Sequence, residues 1–213
     1  IGPGHNGGDG AVIARELFLK GFLVKVWCPF PVKKTLTNSH INYLTSIGVK
    51  NLQEPPDAKG KELWIDAVFG NNQRGEVDSK LINLFLQKFH NKKGKVVSID
   101  VPTGLCPDKG QPFSDNAVKA NYTLAIGLCK VGLLQDSALP FIGELKHIDI
   151  GIPPKKLFNI EKKIFKVTYS DVENIDLPFL PKNSNKYRRG RTLLIAGSGK
   201  YPGAAYLTLK GAI

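Results

Sequence analysis

The first ten residues, Ile1-Gly2-Pro3-Gly4-His5-Asn6-Gly7-Gly8-Asp9-Gly10, hold five glycines and run straight into Ala11-Val12-Ile13-Ala14-Arg15. Such a stretch carries bare backbone N–H groups that can crowd an anion. Gly7, Gly8 and Gly10 are free to take positive φ, and no side chain blocks a ligand's approach. The helix expected after the glycines adds unsatisfied amide donors and partial positive charge, the usual cradle for a phosphate. Two acidic residues complete the set with chemical potential. Asp66 stands in Ile65-Asp66-Ala67 and Asp100 in Ser98-Ile99-Asp100-Val101-Pro102-Thr103-Gly104. Each follows a strand-like apolar run, so each is expected where a carboxylate can exchange a proton or face a cation.

The elements that must position these groups alternate in type. Residues 11–20 read as a helix stopped by Gly21, and Phe22–Trp27 as a strand. Residues 38–47 read as a helix closed by Gly48, Lys61–Phe69 as a strand, and Val77–Phe89 as a helix carrying apolar residues at helical spacing. Lys95–Asp100, Tyr122–Ile126 and Leu145–Ile150 read as further strands. Strict alternation predicts an α/β fold, a Rossmann-like three-layer α/β/α arrangement with a mostly parallel sheet. In such sheets ligands sit beyond the carboxyl ends of the strands. Asn6, Asp66 and Asp100 are therefore expected to meet in one crevice. Only Ile1 precedes the glycine stretch, so a first strand is expected to be missing, and a chain with no methionine agrees.

Beyond Gly151-Ile152-Pro153-Pro154 the composition shifts. Residues 154–186 read as a Lys-, Asn- and Pro-rich linker with one short strand, Ile164–Tyr169. Residues 187–213 contain an expected strand, Arg191–Ser198, a glycine turn and the start of a helix at Tyr201–Ile213. That is too little chain for a domain, and it reads as the cut beginning of one.

Composition bounds the function. A hydrophobic share of 42% in 213 residues can bury one good core. No apolar run is long enough to span a bilayer and no secretory leader is visible, so no membrane partner is expected. Cys28, Cys106 and Cys129 are odd in number and lack metal-ligand spacing. They read as small buried or partly buried thiols in a reducing, cytoplasmic compartment. The net charge of +12 is spread along the chain rather than striped. It favours collection of an anionic dinucleotide and does not by itself point to nucleic acid.

Taken in order and spacing, Gly2-Pro3-Gly4-His5-Asn6-Gly7-Gly8-Asp9-Gly10, Ile65-Asp66-Ala67-Val68-Phe69-Gly70 and Ser98–Gly104 resemble the motifs of NAD(P)H-hydrate epimerases. Lys130-Val131-Gly132-Leu133-Leu134 and Asp149-Ile150-Gly151-Ile152-Pro153 are similar to that domain's ending. The resemblance covers residues 1–153. The tail Gly197-Ser198-Gly199-Lys200-Tyr201-Pro202-Gly203 resembles the opening of an ADP-dependent NAD(P)H-hydrate dehydratase, a ribokinase-like fold. Together they resemble a fused repair enzyme.

The resemblance implies epimerisation of the R and S forms of hydrated NADH or NADPH, with the intact protein also dehydrating the S form using ADP or ATP. It implies Asp100 as the proton-exchanging residue, with a turn-capping role as the alternative. It implies substrate contacts from His5, Asn6, Gly7, Gly8 and Asp9, and from Gly70, Asn71, Asn72, Gln73, Arg74, Gly75 and Glu76. It implies a potassium ion held by Asn6, Asp66 and Thr103, although Asp66 also fits a strand-end carboxylate bonded to loop amides. Asp9 beside a phosphate looks repulsive, and a helix cap is the reading adopted for it. His5 stands where the family has asparagine, and Arg74 reads equally as a phosphate contact or a surface arginine. Lys33 and Lys34 lie where they could reach the adenosine side but are left outside the site. A homo-oligomer is left open. The competing readings are a catalytically silent binding or scaffold module with an RNA or protein partner, and an ordinary dinucleotide oxidoreductase. The second suffers because the glycine spacing is not Gly-x-Gly-x-x-Gly.

Overall fold

The computed structural model describes residues 1–153, 155, 167–175, 181–185, 187–188 and 191–212. The chain divides into two compact units, Ile1–Asn159 and Ile160–Ile213.

The first unit contains helices α1 (His5–Leu19), α2 (Thr35–Ser46), α3 (Ser79–Asn91) and the short α4 (Leu139–Ile142). Its strands are β1 (Lys25–Trp27), β2 (Lys50–Leu52), β3 (Trp64–Asp66), β4 (Val96–Ile99), β5 (Tyr122–Ile126) and β6 (Glu144–Ile148). All pairings are parallel: β1 with β2, and β3-β4-β5-β6 in that order. Residues 1 and 2 lie between the two groups. The Ile1 amino group donates to the Trp27 carbonyl at 2.8 Å and the Gly2 N–H to the Ala67 carbonyl at 2.9 Å. One line of strand ends thus runs from β2 through β1, the glycine segment and β3 to β6.

Side-chain alternation places the helices. Val26 packs with Ala11, Ala14, Ile41 and Leu44 of α1 and α2, whereas the next residue, Trp27, packs with the Trp64, Phe85 and Val96 cluster under α3. Neighbours along a strand point to opposite faces, so α1 and α2 cover one face and α3 the other. Helix α3 follows its apolar spacing, with Asp78 accepting from the Lys80 N–H at 2.8 Å at its start. Its Lys88 is fully buried, donating to the Gly60 carbonyl at 2.7 Å above the Trp64 ring. Amphipathic patterning alone would have put that lysine in water.

Several expectations shift. The expected strands from Lys61, Lys95 and Phe22 shorten to Trp64–Asp66, Val96–Ile99 and Lys25–Trp27, and β2 has no sequence signal because Lys50 and Asn51 are exposed. Helix α1 begins at His5 rather than after Gly10, so Gly7, Gly8 and Gly10 are helical and none takes positive φ. Their lack of side chains serves close packing instead: a Cβ on Gly10 would lie 2.5 Å from that of Ala67. Cys28 and Cys106 are half-buried as expected, but Cys129 is exposed.

In the second unit α5 (Tyr169–Glu173) starts with a reciprocal cap between Thr168 and Asp171, and α6 spans Gly203–Ala212. The strand expected over Ile164–Tyr169 lies outside the described residues up to Lys166, and Tyr169 is helical. Arg191–Ser198 is not a strand over its described residues. It makes one isolated bridge, Ser198 with Tyr201, beside the turn at Gly197. With no neighbouring strand to pair among the described residues, an apolar run such as Thr192–Ala196 gains no ladder hydrogen bonds there.

Candidate active site

Asp100 immediately follows β4 and sits in the left-handed region at φ 70°, one of two non-glycine residues with positive φ among those described. A side-chain-bearing residue held there stores backbone strain, which concentrates at functional positions. Asp100 Oδ2 accepts the Asn71 N–H at 2.8 Å, and Oδ1 is ion-paired with Lys130 Nζ. Lys130 also donates to the Ile126 carbonyl at 2.8 Å, at the end of β5. Both side chains retain 14% of their exposure. The carboxylate is therefore clamped from two loops while its outer face stays accessible. The turn-capping alternative is partly realised, since the bond from Asn71 secures a loop.

Gly70 makes room for this arrangement. A Cβ there would meet Asp100 Oδ2 at 2.9 Å and the Asn6 amide at 3.1–3.2 Å. Asn6 and Asp100 therefore approach one point from opposite ends of the sequence. Both polar atoms of the Asn6 amide are buried without a hydrogen-bond partner. A buried unpaired amide is costly, and each such group calls for an explanation.

Asp66 lies behind this point, fully buried. Its Oδ1 accepts from Thr103 Oγ1 at 2.7 Å and the Val68 N–H at 3.3 Å; its Oδ2 accepts from Ser98 Oγ and the Thr103 N–H, both at 2.9 Å. Burial pushes the Asp66 carboxyl pKa up, and these four hydrogen bonds pull it back down only in part. Thr103 Oγ1 accepts the Phe69 N–H at 3.1 Å. The reading of Asp66 as a carboxylate bonded to loop amides is thus present in the geometry. The donor set Asn6 Oδ1, Asp66 and Thr103 Oγ1 is all oxygen, suited to a hard cation. An orphaned Asn6 oxygen and a desolvated negative charge both fit such an ion.

The remaining expected residues divide. His5, Asn6 and Gly7 occupy the first turn of α1, where amide donors lack intrahelical partners. His5 itself is exposed. Asp9 does not cap the helix: Gly4 is the N-cap, and Asp9, one turn further on, makes no side-chain hydrogen bond. Asp9 is solvent-exposed on the helix, and its carboxyl is raised above the ordinary aspartate range, first by partial desolvation and next by the Asp100 charge. Gln73 turns inward, its Oε1 accepting the Gly104 N–H at 2.9 Å and its Nε2 donating to the Gly75 carbonyl at 3.0 Å. Arg74 donates to the carbonyls of Asn71 and Gln73 at 2.9 and 2.8 Å, so its guanidinium braces its own loop. Asn71, Asn72, Gly75 and Glu76 complete that loop, with Asn71 contributing its backbone.

Lys130 and Ser98 were not among the residues predicted for the site. A signal for Lys130 existed: it follows β5, and β5 neighbours β4 in a parallel sheet, so its strand-end position is beside Asp100. Ser98 gave none, since an alternating strand serine reads as surface.

A family model described as YjeF-related protein N-terminus matches residues 1–132. A Gloeobacter violaceus protein named bifunctional NAD(P)H-hydrate repair enzyme Nnr is 36% identical over 218 residues, covering 100% of this chain and 42% of its own length. A Synechocystis protein of the same name is 37% identical over 215 residues, covering 100% of this chain and 41% of its own. The chain spans less than half the length of these relatives. The crystal structure of yeast ynu0, YNL200c, superposes with a TM-score of 0.60 at 24% identity, over 78% of this chain and 72% of that one. That likeness concerns the fold alone.

Proposed function

This chain belongs to the family of YjeF-related protein N-termini, and from that premise we propose that residues 1–153 form an NAD(P)H-hydrate epimerase domain. Its substrate is hydrated NADH or NADPH, whose ring carbon six carries a hydroxyl beside the ring nitrogen. Inversion there needs a reversible bond cleavage. In one route the hydroxyl proton is removed, the carbon–nitrogen bond opens with its electron pair moving to nitrogen, and the resulting aldehyde turns before reclosing. In the other the hydroxyl is protonated and leaves as water while the nitrogen lone pair forms an iminium, and water returns to the opposite face. Both routes require a group that gives and takes a proton at the hydroxyl.

Asp100 is assigned that role. The observation that carries it is the clamped carboxylate on a strained backbone, facing the crevice that Asn6 and Gly70 also line. Lys130 and the Asn71 N–H hold the carboxylate in one orientation, so its free lone pairs keep a fixed aim at the ring. The amides opening α1 bind the pyrophosphate. The loop from Gly70 to Glu76 closes over the ring end, with Gln73 and Arg74 stiffening it rather than touching ligand.

Asn6 Oδ1 and Thr103 would hold a potassium ion with Asp66 supplying charge, and that ion would offset the substrate's phosphates. The relatives are named bifunctional, so an ADP-dependent dehydration of the S form is proposed for the whole protein and assigned to no residue of this chain. The linker over 154–186 and the start of that second domain over 187–213 belong to the same proposal, as does a cytoplasmic setting.

The test is equilibration of purified R or S hydrated NADPH by the full chain, followed by chromatographic separation of the epimers. Asp100→Asn should lower the rate at least a hundredfold, on the order expected for loss of a general acid–base group. Unchanged turnover in a folded Asp100→Asn protein removes Asp100 from the chemistry.

A further inference from the structure

Beyond the ring-binding crevice, a second cavity of about 530 Å³ opens at the end of β1, lined by Phe30, Lys33, Lys34, Thr35, Asn38 and Asn42 among others. No described residue of its lining is acidic, while Lys33 and Lys34 are both exposed and their ammonium groups make no ion pair or hydrogen bond among the described residues. The cavity is tied to the glycine segment at two points. The Lys33 N–H donates to the Pro3 carbonyl at 3.0 Å, and Thr37 Oγ1 donates to the Gly4 carbonyl at 3.0 Å. It is also tied to the catalytic end: Phe30 packs on Phe69 with ring centroids 5.6 Å apart, and Phe69 precedes the Gly70 that touches Asp100 and Asn6. The crevice around Asp100, the amides opening α1 and the lysine cavity therefore follow one another along the strand ends.

A dinucleotide laid with its ring at Asp100 and its pyrophosphate on α1 has its adenosine half at the end of β1. In parallel dinucleotide-binding sheets the residues after that strand read the ribose: a carboxylate accepts from the free 2′-hydroxyl, and a cation takes a 2′-phosphate. Here the strand ends in Trp27-Cys28-Pro29-Phe30 and offers two lysines instead. Building on the epimerase reading, we propose that Lys33 and Lys34 form a subsite for the 2′-phosphate, which makes the phosphorylated dinucleotide the preferred substrate form. A phosphomonoester carries close to two negative charges at neutral pH, and lysines serve it as point charges on flexible stems.

The test compares the full chain with Lys33→Gln/Lys34→Gln, which leaves the backbone bond to Pro3 in place. Two readouts are taken at fixed ionic strength: calorimetric affinity for NADPH and NADH, and the ratio of kcat/KM for the hydrated forms of each. The wild type should prefer the 2′-phosphorylated compound by roughly ten- to a hundredfold, the value of charge-assisted hydrogen bonds. The double variant should bring both ratios to near unity while its melting temperature stays put. A wild type without preference, a preference that survives in the variant, or no NADPH binding at millimolar concentration overturns the subsite. Loss of the NADPH preference without any epimer interconversion upholds the subsite and removes the epimerase reading.

Discussion

Replacing Lys130 by methionine keeps most of the side-chain volume and deletes one charge, so it isolates the clamp on Asp100. The substitution leaves Asp100 Oδ1 and the Ile126 carbonyl each without its ammonium donor. Breaking a fully buried pair from one side costs about 3–5 kcal/mol. Here each side chain keeps 14% of its exposure, toward a crevice that water can enter. The expected loss is therefore about 2–3 kcal/mol, which for a chain of this size lowers the melting temperature by about 5–10 °C. Asp100→Asn serves as the second arm, because asparagine tolerates the left-handed backbone and carries no charge. In a double-mutant cycle followed by urea unfolding, Lys130→Met/Asp100→Asn should be less destabilised than the sum of its parts by about 2 kcal/mol. A coupling below about 0.5 kcal/mol, the range of solvent-screened surface pairs, refutes the clamp. On the proposed function, Lys130→Met also lowers kcat by about a hundredfold, since the carboxylate loses its aim.

Gly70→Ala inserts a Cβ against Asp100 and Asn6; it should cost about 1–3 kcal/mol of stability and at least a tenfold fall in turnover, measured by unfolding and epimer separation. Potassium should raise the melting temperature of the wild type relative to a bulky organic cation, and Asn6→Ala should abolish that rise. Asp9 is raised above the ordinary aspartate range, so the folded state loses stability as pH rises through that range. Asp9→Asn should accordingly stabilise the fold at neutral pH and make no difference well below that range, read as melting temperature against pH. Lys88→Ala leaves the Gly60 carbonyl with only the longer bond from Asn91 Nδ2 at 3.3 Å and opens a cavity over Trp64; a loss of about 2–4 kcal/mol is expected in denaturant unfolding.

Much of the architecture was legible because apolar spacing is a local property. The 3.6-residue repeat through Leu81, Ile82 and Phe85 and the alternation along Tyr122–Ile126 each need only their own segment, and the positive-φ stops at Gly21 and Gly48 need only one residue. Strand β2 escaped because its burial is slight, and Arg191–Ser198 misled because an apolar run is a strand only when another strand pairs with it. The glycines of the first ten residues are marked as special by the sequence, but the positive φ expected of Gly7, Gly8 and Gly10 is not adopted. Their role depends on what lies across from them, such as Ala67 against Gly10, and that neighbour is 57 positions away in the chain.

The same distinction runs through the site. Residue types and strand ends already indicated that Asp66, Asp100 and Asn6 belong at one edge of a parallel sheet, since every strand of such a sheet points its carboxyl end the same way. Which groups touch was beyond a linear reading. Hydrogen bonds act over about 3 Å, and the partners of Asp100 come from a loop after β3 and a turn after β5. Hence the pairing with Lys130, the inward turn of Gln73 and the unpaired amide of Asn6 emerged only once the strands were laid side by side.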